Sequence, residues 1–455
     1  MKKLVLILVI AIFVNGYYNP CFAKNNKVST KKLEKIEETK DKYEYINMDW
    51  WNKFNDPYLV NYIQRAIEYN HNLKIATLST KEYYQMVKMQ FANELPSANA
   101  GFAPAYVKLP NTTSSGFQFA LPVLANYEID LFLKNRDKTK SAYKIYEMSL
   151  LDERSAYISV AGAVGATYFN IIKLDKNIEL QKQIVDERKL IFELMSKRNA
   201  QGITSTADMV RANKAYVSAI TELTELEKQR DSLLNSFCVL MGESSENADN
   251  IERIGYDDIN FTGTIPETIE SEIIEQRPDY LKAVYNVEKA GIDVRIAKKE
   301  FLPSFNIGGL ALFNASDIGK MFNTTKMLSA IGGLANVDLF QGGAKIANLK
   351  MKKAAYEKVL EHYQQTNLTA IQEINDALLF VKKDNEKLIN TLKQKDFETK
   401  DNEYFQKKYE KGIISKLDLA QSDENLLTID KLAVNQQIDC YIDYIGLYKA
   451  VGSKL

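Results

Sequence analysis

Two histidines and three cysteines are the side chains in this chain best suited to nucleophilic or metal chemistry, and none of them belongs to a constellation. His71 lies in Tyr69-Asn70-His71-Asn72 and His362 in a polar helical stretch, each without a second ligand at metal-binding spacing. No glycine-rich phosphate loop and no nucleophile elbow accompanies them. Cys238 stands four residues before Gly242, whereas Cys440 stands twelve before Gly452. On equivalent helices that eight-residue difference is an offset of about 12 Å, beyond a disulfide's reach, so both read as buried free thiols. The sequence therefore points to no enzyme, no metal site and no cofactor. Carboxylates at defined helix starts are what it does offer. Ser205 with Asp208, and Ser415 with Asp418, have the serine-x-x-acid spacing of a capping box, each just after a glycine, Gly202 or Gly412. Helix capping and a local negative field are the chemistry open to such aspartates.

The elements that would position these residues come as a long-period repeat. Leu95-Pro96-Ser97 recurs as Leu302-Pro303-Ser304 (302 − 95 = 207), and Asp130-Leu131-Phe132 as Asp338-Leu339-Phe340 (338 − 130 = 208). Gly202-Ile203 recurs as Gly412-Ile413 and Gly242 as Gly452, both 210 residues on. The chain thus divides into a first repeat, 48–242, a linker, 243–264, and a second repeat, 265–455. Each repeat reads as a helix, a strand pair, a very long helix and a return helix. Residues 56–93, with one proline near the start, read as a single helix that Pro96 terminates, because the residue before a proline is driven toward extended geometry. Pro96 and Pro303 are thus helix-to-strand switches. The stretches 135–200 and 344–411 lack proline, and roughly 66 helical residues would span about 100 Å. Ile371, Ile374, Leu378, Val381, Leu388 and Leu392 follow a seven-residue pattern, broken by Asn385, that predicts a coiled-coil seam.

The N-terminus has the form of a secretion signal, 1–23: Lys2-Lys3, an apolar run from Leu4 to Val14, and an exit at Ala23. An extended segment, 24–47, follows. Cys21 is a possible lipid anchor, although Asn19-Pro20 precede it in place of small residues. No later stretch approaches the run of about 18 apolar residues that a membrane helix requires. Lys and Arg (59) balance Asp and Glu (59), which leaves no basic excess for nucleic acid.

Between 117 and 131 every odd position is apolar (Phe117, Phe119, Leu121, Val123, Ala125, Tyr127, Ile129, Leu131), while Gln118, Asn126, Glu128 and Asp130 fall on even positions. This is the period of a strand with two unlike faces. Ala335, Val337 and Leu339 alternate with Asn336 and Asp338 in the second repeat, and weaker strands are expected near 98–107 and 305–314. Pro122 is awkward within its strand, since it removes a ladder hydrogen bond. Four strands of about 9–11 residues suit a membrane sheet, yet four cannot close, so several copies would have to share one barrel.

These landmarks resemble those of the TolC-type outer-membrane efflux proteins, particularly the NodT-like branch. The likeness runs through Trp50-Trp51, Phe54 and Asp56-Pro57, both Leu-Pro-Ser switches, and Glu128-Ile129-Asp130-Leu131-Phe132. It continues through Gln276-Arg277-Pro278-Asp279, Asp338-Leu339-Phe340-Gln341-Gly342-Gly343 and Leu447-Tyr448-Lys449-Ala450-Val451-Gly452. The resemblance implies a mostly helical protein with membrane β-structure. Its long coiled-coil helices would form a periplasmic α-barrel, and its four strands per chain would enter a 12-stranded trimeric barrel in the outer membrane. It further implies a passive efflux or secretion duct, with a periplasmic adaptor, an inner-membrane pump of the RND or ABC type and outer-membrane lipid as partners. By the same resemblance Asp418 and Gln421 match the periplasmic gate, Asp208 and Tyr409 match a tether whose basic partner is replaced by Ile414, and the tips Gly202, Ile203, Gly412 and Ile413 would meet the adaptor. A secreted coiled-coil protein of structural or adhesin type is the alternative; it leaves the period-two segments unexplained.

Overall fold

The computed structural model describes residues 45–108, 115–264, 266, 268–320, 322 and 327–453. The signal, Cys21 and the extended segment up to residue 44 lie outside the described residues. The helices are α1 (Met48–Asn52), α2 (Pro57–Tyr69), α3 (His71–Ala92), α4 (Lys134–Ala200), α5 (Thr206–Met241), α6 (Pro278–Lys299), α7 (Ala344–Glu410) and α8 (Lys416–Ala450). The strands are β1 (Ser97–Ala100), β2 (Ala103–Lys108), β3 (Ser115–Ile129), β4 (Ser304–Ala315) and β5 (Leu328–Asn336). Helix–strand–long hairpin occurs twice, and α4 and α7 have 67 residues each. Two compact units emerge, a strand-bearing one from Lys81–Glu147 and Tyr285–Glu361, and a helical one from Lys42–Thr80, Met148–Val284 and His362–Leu455.

In the strand unit, β1 and β2 pair with β3 in one unbroken antiparallel register, since Ser97 faces Asn126 and Ala103 faces Ala120 (97 + 126 = 103 + 120). They act as one strand interrupted at Gly101-Phe102, which leaves four strands in the order β1/β2, β3, β4, β5. Pro122 explains the interruption. Its carbonyl accepts from Gly101 N at 2.9 Å, but it has no N–H to return the bond. In an antiparallel ladder both polar groups of a residue face the same neighbour. The loss is therefore confined to the Gly101 side, and the β3–β4 register passes through Pro122–Leu312 unbroken.

Residues directly opposite one another share a sheet face. Phe119, Leu121, Val123, Ala125, Tyr127 and Ile129 face Ala315, Phe313, Ala311, Gly309, Ile307 and Phe305 in turn. Beyond these on β5 lie Ser329, Ile331, Gly333 and Ala335. That face is apolar apart from Ser329. The opposite face collects Gln118, Asn126, Glu128, Asn306, Asn314 and Asn336, although Leu124, Leu310, Leu312, Leu328 and Leu334 interrupt its polarity. The alternation expected through Leu339 stops earlier, because β5 ends at Asn336 and Asp338 instead pairs with Lys345 at 2.9 Å.

Both proline switches lie one residue before a strand. The ends of α3 and α6 tighten into i→i−3 turns, with Leu95 N to Ala92 O and Leu302 N to Lys299 O at 3.1 Å each, before a residue that cannot donate. The single helix expected over 56–93 is in fact two. Asn70 breaks it: its buried side chain donates to Leu240 O at 2.8 Å and accepts from Leu73 N at 3.1 Å. A Cβ on Gly242 would come within 2.4 Å of Tyr69 O, so the end of α5 abuts that break.

In the helical unit a hydrophobic core joins α1, α2, α4, α5 and α8 through Trp51, Phe54, Leu59, Tyr168, Phe169, Phe237 and Tyr448. Contrary to the sequence reading, α4 does contain a window long and apolar enough to cross a membrane. Most of that window is buried in this core. Gly165 lies so close to the Trp51 ring that a Cβ would fall 2.5 Å from Cζ3. Residues 243–264 are not a loose connector either: Ile251, Ile254, Tyr256, Ile259 and Phe261 pack on the core, and Thr262 N donates to Lys53 O at 2.8 Å. The seam on α7 keeps Ile374 and Val381 buried where expected, but one of its two rows shifts by one residue. Ala370 and Thr391 are buried while Ile371 and Leu392 are exposed, so small residues occupy the contact.

Candidate functional site: the two hairpin tips

Each long helix reverses through a glycine at positive φ. Gly202 and Gly412 both have φ +70°, with no atom within 4 Å of an added Cβ, so backbone conformation and not space demands glycine there. The same pair of bonds closes both ends. Gly202 N donates to Asn199 O and Ile203 N to Arg198 O, at 2.9 Å each; Gly412 N donates to Tyr409 O at 2.8 Å and Ile413 N to Lys408 O at 2.9 Å. This is the Schellman arrangement, in which orphan carbonyls at a helix end find donors. Ile203 and Ile413 are left 61 % and 65 % exposed, apolar side chains at the turn where little packs against them.

Three residues after each glycine comes the cap of the return helix. Ser415 Oγ accepts from Asp418 N at 3.3 Å, while Asp418 Oδ2 accepts from Ser415 N at 2.9 Å and Ser415 Oγ at 2.7 Å. The Ser415 hydroxyl and N–H, and then the charge of Arg198, hold the Asp418 carboxyl below its ordinary range. At the first tip Ser205 Oγ accepts from Asp208 N at 3.1 Å and donates to Asp208 Oδ2 at 2.7 Å. Asp208 is also held low, first by Ser205 and then by Arg211, which pairs with it at 2.8 Å. Asp418 and Gln421 are exposed. Tyr409 is 38 % exposed, and among the described residues no hydrogen bond joins it to Asp208. The structure thus brings each aspartate to its own serine and does not bring Asp208 and Tyr409 together within one chain.

Two contributors escaped the sequence reading. Arg198, on the first hairpin, acts on Asp418 of the second, and nothing in the local sequence links residues 220 positions apart (418 − 198). Asn402 is buried at 3 % exposure and donates to Ser422 Oγ at 3.1 Å and Asp423 Oδ1 at 2.7 Å, tying α7 to α8 above the tip. It lies four heptads after Ile374 (374 + 28 = 402), so extending the seam would have found it. At the same level Arg188 of α4 pairs with Glu424 of α8 at 2.9 Å, and farther from the tips Lys431 of α8 pairs with Glu222 of α5 at 2.7 Å. Cys238 and Cys440 are buried and unpaired, as their helical offset predicts.

The helical hairpins carry apolar tips, exposed carboxylates and ion pairs, and the strand unit is an open sheet with one apolar face. The profile of the outer membrane efflux protein family matches the chain twice, over residues 62–243 and 270–453, once per repeat, and the chain belongs to that family. It is thus an efflux channel protein of the outer membrane. Among its relatives is the probable efflux pump outer membrane protein TtgC of Pseudomonas putida, 25 % identical over 89 % of this chain and 84 % of its own length. Another is the outer membrane protein OprJ of Pseudomonas aeruginosa, 25 % identical over 73 % of this chain and 70 % of that protein. The fold matches the crystal structure of the Campylobacter jejuni CmeC outer membrane channel with TM-score 0.80 at 23 % identity, covering 93 % of this chain and 91 % of that one.

Proposed function

We propose that three copies of this chain form a passive exit duct without catalytic activity, their sheets closing one twelve-stranded barrel in the outer membrane. The open four-strand sheet carries this reading. Backbone groups in a bilayer must be paired within protein, and four strands leave two unpaired edges. Three copies supply twelve strands, within the range of known membrane barrels. The apolar face defined by Leu121, Val123, Tyr127 and their partners is the natural lipid side. The helical hairpins extend into the periplasm, where Ile203 and Ile413 with their glycines meet a periplasmic adaptor coupled to an inner-membrane pump of RND or ABC type. Asp418 and Gln421 ring the entrance, with Asp208 and Tyr409 beside them.

Native mass measurement of detergent-extracted protein tests the assembly: it should give about three times the 51.9 kDa chain, less any signal. A membrane-inserted monomer overturns the reading, and release by salt or urea alone supports a secreted coiled coil instead. Leu121→Arg should impair insertion by about 2–4 kcal/mol and Gln118→Arg by much less, because charge on the lipid face opposes transfer into the bilayer. Equal tolerance in a membrane-extraction assay would reverse the assignment of faces.

A further inference from the structure

The interval of 207 that relates the two Leu-Pro-Ser switches also relates Asn70 to Arg277 (277 − 70 = 207). Both residues are buried, and each stands at the break before the helix that runs to its switch. Their backbones are nearly the same, with φ −58° and ψ 125° at Asn70 and φ −66° and ψ 137° at Arg277. Each donates to the carbonyl two residues before the glycine that closes a return helix. Asn70 Nδ2 reaches Leu240 O at 2.8 Å, and Arg277 Nη1 reaches Ala450 O at 2.7 Å, acceptors that are again 210 positions apart (450 − 240 = 210). The two glycines, Gly242 and Gly452, have φ +72° and +66°, and an added Cβ would lie 2.4 Å from Tyr69 O in the first repeat and 3.4 Å from Pro278 Cδ in the second. Both repeats therefore close on the same buried joint.

The joints differ in charge and in reach. Asn70 is neutral, and its remaining side-chain bond, from Leu73 N at 3.1 Å, serves the start of α3. Arg277 spreads its guanidinium over three partners. Nη1 holds Ala450 O, Nε and Nη2 hold the Asp279 carboxylate at 3.0 and 2.7 Å, and Nη2 also pairs with Glu373 Oε2 of α7. The residue of α4 that corresponds to Glu373 is Ala163 (373 − 210), which has no polar side chain to offer. We propose that Arg277 is a positioning residue that tethers α7 to the end of α8 through a releasable ion pair with Glu373, a hold that the first repeat's joint lacks.

The tether separates from the closure because different atoms make them. The bond from Nη1 to Ala450 O does not involve Glu373. Asp279 grips the guanidinium with both carboxylate oxygens, so the buried cation stays paired when Glu373 leaves and avoids the penalty of an isolated buried charge. The Glu373 side chain is 52 % exposed against 7 % for Arg277, so water receives the released carboxylate. Beside the pair lies a cavity of about 510 Å³, walled by Ser155 and Ser159 of α4, Glu373, Asp376 and Phe380 of α7 and Lys449 of α8. At this level α7 is not wedged tightly against α4, which leaves the ion pair to fix its place.

Hydrogen exchange on the full chain in detergent tests the tether. Glu373→Gln should speed exchange in α7 around residue 373 severalfold. It should leave unchanged the amides of Val451, Gly452 and Ser453, which bond back to Leu447, Lys449 and Tyr448 at the end of α8. Arg277→Gln should speed both regions, and adding Glu373→Gln to it should have no further effect in α7, because the partner is already gone. Salt at about 1 M, where the screening length falls to about 3 Å, should speed exchange around residue 373 in the natural chain and not in Glu373→Gln. Exchange in α7 that Glu373→Gln leaves unaltered, or an α8 end that loosens as much in Glu373→Gln as in Arg277→Gln, overturns the proposal. Should Arg277→Gln not fold, Glu373→Gln and the salt response of the natural chain decide, since Glu373 is half exposed and glutamine keeps its shape.

Discussion

The two long hairpins share a length, a tip design and a register, yet different forces hold them. The first is built into a hydrophobic core: Val164, Tyr168, Phe169 and Ile172 of α4 are buried with Phe237 of α5 against Trp51 and Phe54. In the second, α8 joins the same core through Ile438, Ile445 and Tyr448, whereas α7 keeps Ala370, Ile374, Val381, Thr391 and Asn402 buried, a thin line of mostly small or polar residues. Phe192, which stacks on Tyr216 in the first hairpin, corresponds to Asn402 in the second (402 − 210). Gly165, pressed against Trp51, corresponds to the exposed Asn375. Apolar burial is non-directional and cumulative, whereas hydrogen bonds are few and specific. Of the two long helices, α7 is therefore the one with the thinner apolar contact.

The sharpest way to break this contrast is to load the same side chain at equivalent positions. Gly165→Leu should destabilise by about 1–3 kcal/mol or more, because the ring of Trp51 and the Ile445 side chain leave no room. Asn375→Leu should stay within about 0.5 kcal/mol. Denaturant midpoints on the two variants report the difference, and similar losses would mean the second hairpin is packed as tightly as the first.

A smaller effect is expected at Asn402. Its replacement by Ala removes the donor to Ser422 and Asp423 and should cost about 1–2 kcal/mol. Exchange should rise in the tip-proximal part of α7 and α8 while the first hairpin is unaffected. A uniform rise across both hairpins would show that they unfold as one unit.

The smallest effects concern the caps, and they separate capping from pore lining. Asp418→Asn should weaken the start of α8 by under about 1 kcal/mol, since the group is exposed. If three copies ring the entrance, single-channel cation preference should also fall, whereas Asp208→Asn should leave it unchanged. Because Ser415 holds the Asp418 carboxyl below 3.8, both the cap and the cation preference should persist above that pH and fade as the pH drops through the lowered value. Selectivity that stays fixed in Asp418→Asn would leave this residue as a helix cap alone.

Periodicity and punctuation are local, so the sequence could reveal them. The Leu-Pro-Ser switches, the alternation through β3, the two proline-free helices and the serine–aspartate pair at each tip rest on neighbours within a few residues or on copies 207 to 210 positions apart. From these the repeat, the strand count and the position of each tip followed. What joins distant positions was settled only by the tertiary structure. Asn70 ends a helix because Leu240 O lies opposite it, and Pro122 is tolerated because its missing N–H faces Gly101 and leaves the β4 side intact. One row of the α7 seam moved by one residue, burying Ala370 and Thr391 in place of Ile371 and Leu392, while Ile374 and Val381 stayed where the pattern put them. Arg198 acts on Asp418, and Asn402 bonds to Asp423, through contacts that no spacing along the chain encodes. A residue's backbone preference is a property of its own type and close neighbours, whereas its burial, its partner and its proton depend on which surfaces the folded chain presses together.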